Sequence, residues 1–300
     1  MCRLIFLYLL SLPLNSLNVL AQQAQASHPI PAPQHISGSI YWIKDYAAPT
    51  GDWSTIVVAS IGDDGIVIVD GQDETSAQYD LGAFQTIKNT PLRFVINTHC
   101  HSDHTFANNY YVKLAPIIAR TYVRETLAQG QPIKTSSCPG AALPTITIDG
   151  ELNLHLNGET VRIISLPAGH TRGDLMVYFV NAKVAHVGDA FTEPAGFVDR
   201  SNGGDILRLP DVWRFIASSL PDDVTIIPGH GEPASLSDMK NAYNLLHELI
   251  ATVTDAFKSG QSWEALFAST KLDPYRMQIP SDDLKMYLQA IYTSLQNSSP

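Results

Sequence analysis

Three cysteines in 300 residues are too few for a disulfide framework. Cys2 sits at the extreme N-terminus, where it is no lipid-attachment cysteine, and the spacing of Cys100 and Cys138 resembles no zinc-thiolate site. Cys100 reads as a buried small residue, with a Cys100–Cys138 bridge as the alternative. Basic clusters are lacking too: 19 Lys and Arg stand against 29 Asp and Glu, a net charge of −10. That balance argues against a nucleic-acid substrate. Nor is there an apolar run long enough for a membrane span. Leu4–Leu10 and the weaker stretch to Leu20 are broken by Ser11, Pro13, Asn15 and Asn18, short of the ~20 residues a span needs. With Arg3 ahead and Val19-Leu20-Ala21 behind, residues 1–21 read as a secretory signal peptide cleaved after Ala21, rather than as a retained anchor. The expected mature chain is soluble, free of any stable membrane anchor, and periplasmic or secreted.

What is present is enough apolar material, 45% of residues, to bury a full core. Residues 22–37 read as a disordered or extended lead, proline-rich from His28 to Pro33. From Ser39 short β segments follow. Ile40–Ile43 is one, and Thr55–Ile61 and Ile66–Asp70 flank Gly62-Asp63-Asp64-Gly65, a hairpin signal. Further strands are expected at 92–97, 117–121, 145–148, 151–156, 160–166, 174–180, 183–187 and 224–227. Helices are expected at 74–88, 208–219, 236–258, 262–269 and 281–296. Two sheets face to face with helices outside, in one α/β domain over 38–300, fit that order. Nothing resembles a linker that would split it.

Ten histidines are present, and several fall into a pattern. His99 and His101 alternate around Cys100, so both can face one way, and Asp103 and His104 follow directly. This His-x-His-x-Asp-His run comes straight after the apolar Phe94-Val95-Ile96, where α/β proteins present reactive groups. Three other strands run into a loop that pairs a glycine with a metal-binding side chain: Gly169-His170, Gly188-Asp189 and Gly229-His230. His186 lies within a strand and reads as a core histidine. His28, His35, His155 and His247 have no partner at ligand spacing and read as structural or surface residues.

These residues resemble the ligand set of the metallo-β-lactamase-fold superfamily of hydrolases, over about residues 38–298. The resemblance implies a four-layer αββα sandwich of two mixed β-sheets flanked by helices. It also implies that His99, His101 and His170 hold one metal ion, that Asp103, His104 and His230 hold a second, and that Asp189 bridges both. Donors without thiolate suit two divalent ions, zinc first, or else iron or manganese. Such ions, roughly 3.5–4 Å apart, share a hydroxide that attacks the scissile bond. Asp103 could orient that hydroxide or carry its proton. Asp70 matches an aspartate that steadies the His99 loop in the family, a turn-initiating Asp before Gly71 being the alternative reading. Asn108 also matches the family pattern, whereas Phe106 and Ala107 stand where members often have two glycines.

The implied activity is that of an exported dinuclear hydrolase cleaving an ester, lactone, thioester or amide in a small-molecule substrate. A β-lactamase is an alternative, although Asp189 replaces the cysteine of one branch and Thr192 stands near the position of a β-lactam-binding lysine. The same ligand residues would also serve an iron-dependent sulfur dioxygenase or a non-catalytic metal-binding protein of the cell envelope. Tyr46 and Trp53, in a loop where the family has a flap, are candidate apolar substrate contacts. Arg200, in the irregular stretch after Asp189, is a candidate for an anionic group or for a structural salt bridge.

Overall fold

Strand β3 (Ile56–Gly62) shows why two sheets form. Its Ile56 and Val58 lie in one apolar cluster, while Val57, Ala59 and Ile61 lie in another. A strand whose alternate residues are apolar on both faces must be covered on both. In the computed structural model, which describes residues 32–44, 54–132, 136–192 and 197–298, the first sheet runs in chain order. It comprises β1 (Gln34–Ser37), β2 (Ile40–Lys44), β3, β4 (Gly65–Val69), β5 (Leu92–Ile96), β6 (Ile117–Arg120) and β7 (Ile146–Ile148). The second sheet has the spatial order β13 (Ala234–Ser235), β12 (Thr225–Pro228), β11 (Val184–Gly188), β10 (Leu175–Phe179), β9 (Glu159–Ser165) and β8 (Glu151–Leu156). Both sheets are mixed: β4 to β7 pair in parallel in the first, and β11 with β12 in the second.

The core between the sheets takes Val67, Val69 and Ile96 from one side and Val161, Val177 and Phe179 from the other. Helix α1 (Glu74–Ile87) lays Ala77, Leu81 and Phe84 on the outer face of the first sheet. Its start is fixed by Asp73, whose carboxylate accepts from the amides of Thr75 and Ser76. Short helices α2 (Ser102–Thr105), α3 (Asn108–Tyr111) and α4 (Thr121–Leu127) follow β5 and β6. The outer face of the second sheet is covered by α5 (Leu209–Ser219), α6 (Leu236–Lys258) and α9 (Ser281–Ser298), with α7 (Trp263–Phe267) and α8 (Asp273–Arg276) between the last two. The result is the expected αββα layering. Among the described residues, no helix is long and apolar enough to cross a membrane. Gln34–Ser37, expected as lead-in chain, are extended and pair as an edge strand with β2.

One expectation is corrected. Cys100 is not a free buried thiol: it is joined to Cys138, with Cα atoms 5.1 Å apart. Because His99 and His101 face one way, the residue between them faces the other, toward Ala119, Val123 and Leu127 beside Cys138. The bridge closes a loop spanning a sequence separation of 38, for which chain entropy gives roughly 4 kcal/mol of stabilisation. Cys100→Ala with Cys138→Ala should therefore melt on the order of 10 °C lower than wild type. A thermal melt in which both chains unfold together would contradict this.

Candidate metal centre

Parallel strands deliver their C-terminal ends to one edge, the place where α/β sheets present ligand-binding groups. Asp70 follows β4, Thr98 and His99 follow β5, Asp189 follows β11 and His230 follows β12. His170 comes from the loop between β9 and β10. Two backbone bonds join the sheets at this edge, from the amide of Leu175 to Thr98 O at 2.7 Å and from that of Ile56 to Gly229 O at 2.8 Å. Glycine is required at two points here. A Cβ on Gly229 would lie 2.0 Å from Asp189 Oδ1. Gly188 has φ +53°, and a Cβ there would lie 2.5 Å from the Thr98 hydroxyl.

Seven donor side chains converge in two groups. His99, His101, His170 and Asp189 form one, and Asp103, His104 and His230 form the other, the donor atoms within each lying inside 4.8 Å of one another. The spacings are those of a coordination shell. His170 Nε2 lies 3.3 Å from His101 Nδ1, and His104 Nε2 lies 3.4 Å from His230 Nε2. Donors on a tetrahedron with bonds of about 2.0–2.1 Å sit about 3.3–3.4 Å apart. Asp189 faces both groups. Its Oδ1 is 3.5 Å from His104 Nε2, and its Oδ2 is 3.8 Å from His99, 3.7 Å from His170 and 3.5 Å from His230. Asp103 Oδ2 is 3.1 Å from His230 Nε2 and 3.6 Å from His104 Nε2.

Each histidine is held by its other nitrogen, which leaves the converging one as the donor. His104 Nδ1 meets Asp70 Oδ2 at 2.8 Å and His101 Nε2 meets Asp199 Oδ2 at 2.9 Å. His170 Nδ1 donates to Phe197 O at 2.7 Å and His230 Nδ1 to Ser54 O at 3.2 Å. His99 Nδ1 meets the Thr98 hydroxyl at 3.0 Å, and that hydroxyl donates onward to Asp70 Oδ2 at 2.7 Å. The inward His99 Nε2 and Asp189 Oδ1, both buried, have no hydrogen-bond partner among the described residues. Buried polar atoms are rarely left so. Spacing, tautomers and orphaned atoms together fit side chains that hold metal cations.

Charge balance points the same way. Burial opposes ionisation of Asp103 and Asp189, yet the surrounding imidazoles outweigh it. Asp103 is drawn down to about 2, and Asp189 well below the usual carboxylate range. Burial also opposes charge on His104 and His230, but the Asp103 and Asp189 carboxylates, joined at His104 by Asp70, lift them to about 9 and about 11. Burial keeps His99 and His170 neutral, pushing both below the ordinary histidine value. A cation entering the Asp103–His104–His230 group must therefore displace protons. Groups with raised values stay protonated below them, so affinity there should fall as pH drops below about 11, and more steeply below about 9. At neutral pH that group should release about two protons per ion. Calorimetric titration in buffers of different ionisation enthalpy measures this, and an enthalpy independent of the buffer would contradict it.

Among the other expected site residues, Asp70 is wholly buried with φ 64°, an uncommon conformation for a side-chain-bearing residue. It accepts from the amide and hydroxyl of Thr98 as well as from His104. It thus grips His104 directly, besides steadying the His99 loop. Asn108 exchanges amide hydrogen bonds with Asn97, at 2.8 and 3.1 Å, and Asn97 also donates to His104 O. Phe106 and Ala107 have ordinary helical φ of −67° and −58°, so no glycine is needed there. His186 is buried, with Nε2 3.6 Å from Asp70 and Nδ1 donating to Ile227 O.

The Arg200 guanidinium donates to the Ser294 hydroxyl on α9 at 3.1 Å. His35, His155 and His247 bond or stack with Gly38, Thr160 and Tyr243, apart from the cluster. Tyr46, Trp53 and His28 lie outside the described residues. The sequence reading missed Asp199 and Asp174. The latter accepts two bonds from the Thr171 amide and one from its hydroxyl, fixing the turn after His170. Neither directly follows a strand, the signal that marks the other donors.

Residues 48–230, more than half of the chain, match the model of the metallo-β-lactamase superfamily. A probable metallo-hydrolase of Methanocaldococcus jannaschii is 32% identical over 151 residues, 47% of this chain and 70% of that protein. Among solved structures, a metallo-β-lactamase from Pontibacter korlensis superposes with a TM-score of 0.62 at 17% identity, covering 73% of this chain and 99% of that one. The metallo-β-lactamase DIM-1 gives 0.61 at 16% identity over 73% and 99%.

Proposed function

The chain belongs to the metallo-β-lactamase superfamily of hydrolases, and we propose that it cleaves an ester, lactone, thioester or amide with two divalent cations, zinc first among them. The observation that carries this reading is Asp189, whose carboxylate lies within 3.8 Å of histidines of both groups. His99, His101 and His170 would hold one ion, Asp103, His104 and His230 the other, with Asp189 between them. Such ions polarise a carbonyl oxygen and bring the pKa of water toward neutrality. The chain's own side chains do the rest. Asp103 is ionised, and 30% of its side chain is exposed, against 10% for Asp189. It is thus the carboxylate placed to take the proton that an attacking water loses, through the oxygen other than the Oδ2 that faces His104 and His230. The Thr55 hydroxyl, donating to Asp103 O at 2.9 Å, fixes its backbone.

Export belongs to the same proposal. A buried disulfide suits an oxidising compartment, in line with the signal-like N-terminal residues. The test is metal analysis followed by a panel of aryl esters, lactones, thioesters and a chromogenic cephalosporin. Turnover lost to a chelator and restored by zinc is the expected result. One iron per chain with oxygen uptake on a persulfide would overturn it in favour of a dioxygenase.

A further inference from the structure

One buried carboxylate stands behind each group of donors. Asp70 backs His104 in one, and Asp199 backs His101 in the other. His99, His170 and His230 are instead backed by a hydroxyl or a backbone carbonyl. An ionised carboxylate only accepts, so Asp199 fixes the proton of His101 on Nε2 and leaves the Nδ1 lone pair facing His170.

Asp199 is itself held from two sides. From its own segment it accepts from Asn202 Nδ2 at 2.7 Å, from Asn202 N at 3.2 Å and from the Ser201 hydroxyl. From across the site it accepts from the Ser137 hydroxyl, which also takes a bond from Asn202 Nδ2 at 3.1 Å. Ser137 is tied to the histidine motif on both flanks of His101. Its neighbour Cys138 is bonded to Cys100, and its carbonyl accepts from the Ser102 amide at 3.0 Å. His101 thus sits between two residues that are each fastened to the segment bearing Ser137.

We propose that Asp199 is the positioning residue of the His99–His101–His170 group. It orients His101 toward the ion as Asp70 orients His104 in the other group, and the Cys100–Cys138 bridge keeps Ser137 against it. This rests on the metal-centre reading above. A carboxylate that merely capped the turn at 200–202 would affect folding but not one ion selectively.

The test loads the full chain with cobalt(II) and follows each ion by its absorption spectrum and by chelator competition, beside a thermal melt. Asp199→Ala should weaken one of the two ions 10–100-fold and leave the other near wild type. Asp70→Ala should weaken the opposite ion most, with a smaller loss at this one because Asp70 also reaches His99 through Thr98. Asp199→Asn keeps an oxygen that can accept from His101 Nε2, so it should recover most of the loss. Ser137→Ala should give a smaller loss at the same ion as Asp199→Ala, and with Asp199→Asn it carries the test if the alanine variant does not fold. Wild-type affinity for both ions in a folded Asp199→Ala chain would overturn the proposal. Equal weakening of both ions with a lowered melting temperature would do the same. A wild-type chain that takes up no cobalt would sink the metal-centre reading itself, and this inference with it.

Discussion

Asp189→Ala should lower metal-dependent turnover by at least about a thousandfold. Every other donor serves one group, whereas Asp189 lies within 3.8 Å of His99, His170 and His230 through Oδ2 and 3.5 Å from His104 through Oδ1. Removing it leaves each group one anionic donor short and brings the histidines closer to the behaviour of a cluster without metal. It also removes a main source of the raised values of His104 and His230, so proton competition at those nitrogens should shift to lower pH. Asp189→Asn should fall between, because an amide fills the space above Gly229 but supplies no charge. Initial rates over substrate concentration measure the effect. Turnover within tenfold of wild type would remove the two-ion mechanism.

Asp103→Asn is the second large effect, an expected loss of about 10²–10⁴ in kcat. The amide keeps the size of the side chain and the Thr55 contact to the backbone oxygen. It cannot accept a proton, and its oxygen is a weaker donor beside His230. Because Asp103 titrates near 2, its own protonation should not set the acid limb of the wild-type profile above about pH 4. Protons competing at His104 and His230 should set it instead, with activity falling as pH falls. KM should move less than kcat, since the residue acts on the attacking water and not on the resting substrate. An unchanged kcat would favour a protein that binds metal without using it.

Much of the fold was legible because both sheets announce themselves by period. Strands such as β3 and β9 place apolar side chains on alternate faces, and α5 and α6 carry apolar stripes onto the second sheet. The short helices α2, α3 and α4 were not legible, being one or two turns long and set by tertiary packing. The donor residues could be read because chemistry restricts them to few residue types, each following a strand. Of the groups behind them, Asp70 could be read through the family resemblance, and Asp199 could not. Asp199 owes its role to Ser137 and His101, 62 and 98 residues away, and in sequence it is only an aspartate before a turn. The disulfide was hidden for a related reason: Cys100 between two histidines gives no sign of which way it faces until the loop is folded against Cys138.

The central claim is that two cations held by these seven side chains carry the hydrolysis. Its most direct test is to strip the purified chain with a chelator, add zinc back in measured steps, and follow bound metal and turnover together. The expected result is activity that rises to its maximum at two ions per chain and disappears on stripping. Full activity in the stripped chain, or saturation without any bound metal, would contradict the account.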